Sequence, residues 1–213
     1  MKVAVIDYGM GNLHSVLKSV QSVNDIGADI FLTSDPERVV KADKVVFPGQ
    51  GAMPDCMREL NAHGLAEAVR ETTQTKPFFG ICVGAQLLFE RSEEGNTPGL
   101  GIFKGEVKRF AANLRDAQGE RLKVPHMGWN RVFQLVPHPL FAGIEDGERF
   151  YFVHSYHFAP QDPQLTLAQS EYPDRFSCIV GRGNIFATQF HTEKSHRAGL
   201  QMMKNFLAWD GTV

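Results

Sequence analysis

Two short stretches carry residue types that do chemistry together. Gly80-Ile81-Cys82-Val83-Gly84 sets a cysteine between glycines, where a short apolar run, 77–79, meets a stretch over 85–91 rich in helix formers and in Leu87, Leu88 and Phe89. That composition predicts a buried strand followed by a helix. A cysteine at such a junction is the thiol form of a nucleophile elbow. The glycines permit a sharp, crowded turn that lifts the sulfur above the sheet edge. A helix N-terminus beside it favours a thiolate and a later oxyanion. Far downstream, His191 and Glu193 stand two apart after the apolar run 185–188. At a strand end that spacing points both side chains the same way, so a carboxylate can hold one imidazole nitrogen and leave the other facing a thiol. In such a triad the histidine takes and returns the proton while the acid fixes its tautomer. Each stretch alone also has a plainer reading: a small buried cysteine in a turn, and a solvated polar strand terminus. The order cysteine, histidine, acid is not that of an α/β-hydrolase, where the acid precedes the histidine.

The elements that must position these residues follow from periodicity. Val3-Ala4-Val5-Ile6 is a continuous apolar run, as for a strand buried on both faces of a parallel sheet. After a loop over 7–12, a helix begins at Leu13, with Val16, Leu17, Val20 and Val23 at helical spacing and Gly27 closing it. A second strand is predicted at 29–33 and a short helix opens at Asp35-Pro36-Glu37. A third strand, 44–47, ends in Pro48-Gly49-Gln50-Gly51, and helical patterns around Met57 and Leu60 and over 65–69 lead to the elbow strand. This alternation predicts an α/β fold, doubly wound, with a mainly parallel central sheet flanked by helices. Ligands in such sheets sit at the carboxyl ends of strands, which is where 48–51 and Cys82 fall. Beyond Glu90 a polar turn region, 91–99, gives way to β-like runs at 106–110, 131–136, 150–153, 165–169, 176–180 and 185–189. They predict an added antiparallel β region in the C-terminal half, with Gly181-Arg182-Gly183-Asn184 as a hairpin turn. A closing helix over 195–209 presents Leu200, Met203, Phe206 and Leu207 to the sheet. No linker, repeat or low-complexity tract divides the chain, so a single domain over 1–213 is expected.

Composition narrows the function. The chain has 213 residues, 43% hydrophobic and 22% charged, with formal net charge −2, enough for a sizeable core. The balance offers no electrostatic reason for a nucleic acid or an anionic membrane as partner. Cys56, Cys82 and Cys178 are too few and too scattered for a disulfide framework or a zinc site. His126, His138, His154 and His157 show no metal-ligand spacing, so no metal and no cofactor is expected. The first apolar run is far shorter than a signal-peptide core, and none approaches a bilayer span. A reduced, cytoplasmic setting is the expectation.

Taken together, Gly80-Ile81-Cys82-Val83-Gly84-Ala85-Gln86 and Gln189-Phe190-His191-Thr192-Glu193-Lys194-Ser195 resemble the class I (triad) glutamine amidotransferase family, in the family's order and across most of the chain. Its members release ammonia from glutamine through a cysteine thioester. Two positions depart from the usual pattern, Ala85 for methionine and Thr192 for proline, and neither removes a reacting group. Ile6-Asp7-Tyr8-Gly9-Met10-Gly11-Asn12-Leu13, His126-Met127-Gly128-Trp129-Asn130 and Phe152-Val153-His154-Ser155-Tyr156 resemble the branch made up of imidazole glycerol phosphate synthase glutaminases. Pro48-Gly49-Gln50-Gly51 is similar to that branch's oxyanion-strand segment, with Gln50 where valine is usual.

The resemblance implies roles residue by residue. Cys82 is the expected nucleophile, His191 the general base and then acid, and Glu193 its orienting partner. Backbone donors at Gly49, Gln50, Gly51 and Val83 form the expected oxyanion hole. Gln86 and Glu94 match positions that hold glutamine, Glu94 suiting the α-ammonium, while Ser155 and Tyr156 suit the α-carboxylate. The resemblance also implies a (β/α)8-barrel cyclase subunit as partner in a heterodimer, consuming the ammonia in histidine biosynthesis. Consistent with that, the chain has no phosphate-binding loop and no dinucleotide fingerprint of its own. Asn12, Trp129 and Tyr151 are candidates for the docking face. Two other readings stay open: the glutaminase subunit of pyridoxal phosphate synthase, and a cysteine peptidase on the same scaffold.

Overall fold

The computed structural model describes every residue, Met1–Val213. Strand and helix alternate through the first part of the chain: β1 Lys2–Ile6, α1 Leu13–Ser22, β2 Asp29–Thr33, α2 Pro36–Val40, β3 Lys44–Gly49, α3 Met53–Ala62, α4 Leu65–Thr75 and β4 Phe78–Cys82. Residues 3–6 of β1 and all of β3 and β4 are buried, the burial expected of parallel strands covered on both faces. A single helical turn, α5 Val83–Gln86, follows the elbow, and then the chain turns to strands. These are β5 Phe89–Ser92, β6 Thr97–Pro98, β7 Phe103–Arg109, β8 His126–Arg131, β9 Phe133–Gln134, β10 Arg149–His154, β11 Tyr156–Pro160, β12 Thr166–Glu171, β13 Arg175–Arg182 and β14 Ile185–Thr188. The last helix is α6 His196–Ala208.

The main sheet runs β2-β1-β3-β4-β14-β13-β11-β7-β5-β6. Its first five strands pair in parallel, and the pairings from β14 to β7 are antiparallel. The fold is therefore α/β with a mixed sheet, parallel on the side that carries the elbow. Arg182 pairs with Ile185 across the expected hairpin at 181–184. One separate ribbon, β8 with β10, lies outside this sheet. Lys44, buried in β3, donates to the carbonyls of Phe206, Leu207 and Trp209. It thereby pairs the orphan acceptors at the end of α6 and ties that helix to the sheet.

Three sequence expectations change. The helix over 85–91 shrinks to α5, because Phe89 is buried in the sheet between Phe103 and Phe158, at ring separations of 5.8 and 5.4 Å. The Leu88 and Phe89 carbonyls are bonded across to Ile102 and Gly101 rather than along a helix. The polar stretch 91–99 holds the end of β5, a 3₁₀ turn at Glu94–Asn96 and β6. The strand read at 131–136 begins earlier, as β8, and resumes briefly as β9.

Candidate active site

Register explains why distant residues meet. Cys82 ends β4, with Gly49 opposite it on β3 and Thr188 of β14 opposite Ile81. The chain leaving β14 therefore emerges beside the cysteine. Cys82 itself takes φ +54° and ψ −116°, a strained backbone for a residue with a side chain. Two glycines make this turn possible by close backbone approach. A Cβ on Gly84 would overlap the Phe47 carbonyl oxygen, and one on Gly49 would lie 2.5 Å from Gly84 N and overlap the Tyr8 hydroxyl. The helix behind the elbow has only four residues, so it supplies local N–H donors and little macrodipole.

His191 and Glu193 reach the expected pairing by a different backbone. Glu193 sits on a 3₁₀ turn, Thr192–Lys194, and His191 just before it, extended and bridged to Tyr151. His191 Nδ1 donates to Glu193 Oε1 at 2.8 Å, and both side chains are almost wholly buried. That bond orients the ring and leaves His191 Nε2 without a hydrogen-bond partner. Burial alone would push the imidazole pKa down. The charge on Cys82 and the bond to Glu193 outweigh it and hold His191 up to about 10. Ser195, part of the quoted motif but given no role from sequence, fixes the turn: its hydroxyl donates to His191 O at 2.5 Å and accepts the Tyr151 N–H at 3.0 Å. His191 N–H in turn donates to Tyr151 O at 3.0 Å.

Cys82 and His191 open on a cavity of about 250 Å³. Gln50, Gly51 and Val83 line it beside the sulfur. The N–H groups of Gln50 and Gly51 make no hydrogen bond within the protein, and Val83, as the first helical residue, has no intrahelical acceptor. Gly49 lies beneath, buried, and does not reach the cavity. The segment is anchored on both sides, by Tyr8 O–H to Pro48 O at 3.0 Å and Cys56 S–H to Gln50 O at 3.6 Å. Tyr8 and Cys56 were not foreseen in this role.

Gln86, Glu94, Ser155 and Tyr156 line the rest. Glu94 Oε2 accepts Met53 N–H at 2.8 Å, which leaves Oε1 free. Ser155 N–H and hydroxyl have no partner within the protein. Acceptors and donors thus converge on one small space, the pattern that recognises a zwitterion. Pro125, Val153 and His154 complete the wall without having been expected there, although Val153 and His154 lie in a segment already singled out. The surface candidates divide. Trp129 is 42% exposed, edge-on to Tyr151 at 5.9 Å and stacked on His196 at 5.0 Å. Asn12 is exposed on a different loop, whose Gly11 packs on Gln50.

A thiol on a strained elbow, an acid-held histidine and a polar pocket at the carboxyl edge of a parallel sheet define a triad hydrolase of the amidotransferase type. Residues 4–209 match the glutamine amidotransferase class-I family, and the chain belongs to it. It is 84% identical over all of both chains to the imidazole glycerol phosphate synthase subunit HisH of Chromobacterium violaceum. With the subunit of that name from Neisseria gonorrhoeae it shares 66% identity, over 98% of this chain and 100% of that one. A solved glutamine amidotransferase superposes with TM-score 0.71 at 18% identity, covering 97% of each chain, which speaks to the fold.

Proposed function

We propose that this chain is the glutaminase subunit of an imidazole glycerol phosphate synthase, acting in the cytoplasm as one amidotransferase domain over 1–213. It hydrolyses glutamine to glutamate and ammonia. The ammonia passes to a (β/α)8-barrel cyclase subunit, which makes imidazole glycerol phosphate and an aminoimidazole carboxamide ribotide in histidine biosynthesis. Cys82 Sγ attacks the side-chain amide carbon, and the C–N bond breaks as His191 gives its proton to the leaving ammonia. Water then attacks the thioester, His191 takes its proton, and glutamate departs with Cys82 restored. The N–H groups of Val83 and of the Gln50–Gly51 segment receive the oxyanion, each such donor contributing about 3 kcal/mol in the transition state. Glu94 and Gln86 take the substrate's N–H groups, and Ser155 with Tyr156 takes its carboxylate.

The observation that carries this reading is the pairing of His191 Nδ1 with Glu193 at 2.8 Å while Nε2 stays free in the cavity of Cys82. The pocket's size favours glutamine over a polypeptide. At about 250 Å³ it is below the roughly 300–1,000 Å³ of drug-sized sites, and Glu94 offers a counter-charge for a free ammonium. The names borne by the relatives favour the histidine pathway over pyridoxal phosphate synthesis. The test is glutamine hydrolysis measured with the chain alone and with a barrel cyclase subunit plus its acceptor. Hydrolysis coupled to imidazole glycerol phosphate formation is expected. Peptide cleavage without glutaminase activity would overturn the reading.

A further inference from the structure

The carbonyl of Tyr156 can only accept hydrogen bonds, and it dictates the polarity of a network that crosses the site. His154 Nδ1 lies 2.7 Å from that oxygen, so the ring carries its proton on Nδ1 and its Nε2 is an acceptor. His126 Nδ1, 2.9 Å from His154 Nε2, must therefore be N–H. His126 Nε2 is then left to accept from Asn130 Nδ2 at 3.2 Å. The same Asn130 amide donates to Glu171 O at 2.8 Å, and its oxygen accepts the Arg131 N–H at 2.8 Å. One carbonyl thus settles two tautomers and one amide orientation. Burial keeps both rings neutral, His154 pushed down to about 3 and His126 to about 4. His126 is clamped between Tyr172 and Phe152, at ring separations of 4.1 and 5.1 Å.

The other arm runs from the same carbonyl to the nucleophile. Gln86 Nε2 is 3.0 Å from Gln189 Oε1 and a long 3.5 Å from Tyr156 O. Gln189 Nε2 faces Cys82 Sγ at 3.9 Å. Flipping the Gln86 amide would set oxygen against oxygen at both ends, so its Oε1 stays an acceptor with no partner in the protein. The strand that starts the first arm has two faces. Along β8, His126 and Asn130 turn inward, while Met127 and Trp129 are 62% and 42% exposed.

We propose that His154, backed by His126 and Asn130, is a positioning residue for bound glutamine. It holds the Tyr156 carbonyl in place and thereby keeps the Gln86 amide oriented to receive a substrate N–H. The assignment rests on glutamine occupying the cavity, as proposed above. It adds a residue of the cavity wall that sets substrate affinity through that carbonyl.

The test uses the complex with the cyclase subunit. His154→Phe keeps the ring's bulk and removes both bonds. It is expected to raise KM for glutamine about tenfold, the effect of about 1.4 kcal/mol, with kcat changed much less. Ammonia-dependent synthesis should run at the wild-type rate, which shows that the complex is intact. His154→Asn puts an amide donor where Nδ1 stood and is expected to recover most of the affinity. Nitrogen-15 NMR of the wild-type chain, which needs no variant to fold, should find both His126 and His154 as Nδ1–H tautomers. Wild-type KM in His154→Phe, equal loss of kcat, no recovery in His154→Asn, or an Nε2–H tautomer for either ring each overturns the proposal. A wild-type complex that does not consume glutamine overturns the functional reading instead, so the two failures are distinguishable.

Discussion

Cys56, Cys82 and Cys178 are all buried, yet only Cys82 lines the cavity. Burial pushes the Cys56 thiol up to about 12 and sends Cys178 well above its ordinary value. Thiols in that state do not react. A glutamine-mimicking electrophile is therefore expected to label Cys82 alone, read by mass spectrometry of the digested protein. Equal labelling of Cys56 or Cys178 would contradict the assignment of the nucleophile. Cys82→Ser should abolish glutamine-dependent synthesis by the complex and leave ammonia-dependent synthesis intact, since the sulfur makes ammonia and takes no part in cyclisation. Loss of both activities in a folded complex would break that division of labour.

Two joints between elements hold the site together. The first is where β3 crosses the elbow turn: Gly84 sits against the Phe47 carbonyl with no room for a side chain. Gly84→Ala must displace the turn that aims Cys82. It is expected to cost about 1–3 kcal/mol of stability and most of the glutaminase activity. A denaturant titration with wild-type midpoint would show that the contact relaxes freely. The second joint ties the ribbon strand β10 to the His191 turn through the Ser195 hydroxyl and the Tyr151 backbone. Ser195→Ala orphans the part-buried Tyr151 N–H, a loss of about 1 kcal/mol. Its kcat for glutamine should fall while ammonia-dependent synthesis persists. An unchanged kcat would mean that the turn holds His191 without the serine.

For the molecule as a whole, making ammonia with no acceptor present wastes glutamine, and a switch in the proposed oxyanion segment would prevent it. Pro48 O is held by Tyr8 and Gln50 O by Cys56, while Gly11 of the Asn12 loop packs against Gln50 N. A partner seated on that loop would act directly on the peptide proposed to offer its N–H. One missing donor lowers the rate by roughly 10²–10³. The isolated chain is thus expected to turn over glutamine about a hundredfold or more slowly than the complex with acceptor bound; equal turnover would eliminate the switch. Stability should also depend on pH in a definite direction. Burial holds His126, His138 and His154 at about 4, about 4 and about 3, against roughly 6.5 for an unfolded histidine. Between those limits the unfolded chain binds more protons, so stability is lost as pH falls from about 6.5 towards 4. His191 is shifted the other way, and its contribution is lost only as pH rises towards about 10. Unfolding free energies from denaturant titrations at pH 7 and pH 5 should differ by about 2 kcal/mol per buried histidine. No difference would mean that these rings are not neutral in the folded chain.

Much of this was legible in the chain itself, because it is encoded over a few residues. The unbroken apolar runs of β1, β3 and β4, the helical spacing of Leu13, Val16 and Val20, the turn at 181–184 and the crowded glycines around Cys82 all act locally. They led to a doubly wound sheet with Cys82 at its carboxyl edge. The resemblance of the two motifs also implied that Cys82 and His191 meet, but only the fold showed how: β14, expected in the antiparallel region, lies parallel to β4. What tertiary structure decided is everything that depends on partners far apart in sequence. Phe89 became strand because Phe103 and Phe158 were there to cover it. His191, extended and bridged to Tyr151, met Glu193 across the start of a 3₁₀ turn held by Ser195, where the alternation of a strand would have served as well on paper. Gly49, within the expected oxyanion segment, is also the gap that admits Gly84. The tautomers of His126 and His154 could not be read at all, for they follow from a carbonyl on β11, a strand whose pairing with β7 and β13 only the folded chain reveals. Local propensity selects elements, but a proton's place on a buried ring is settled by the nearest acceptor, and that neighbour exists only after folding.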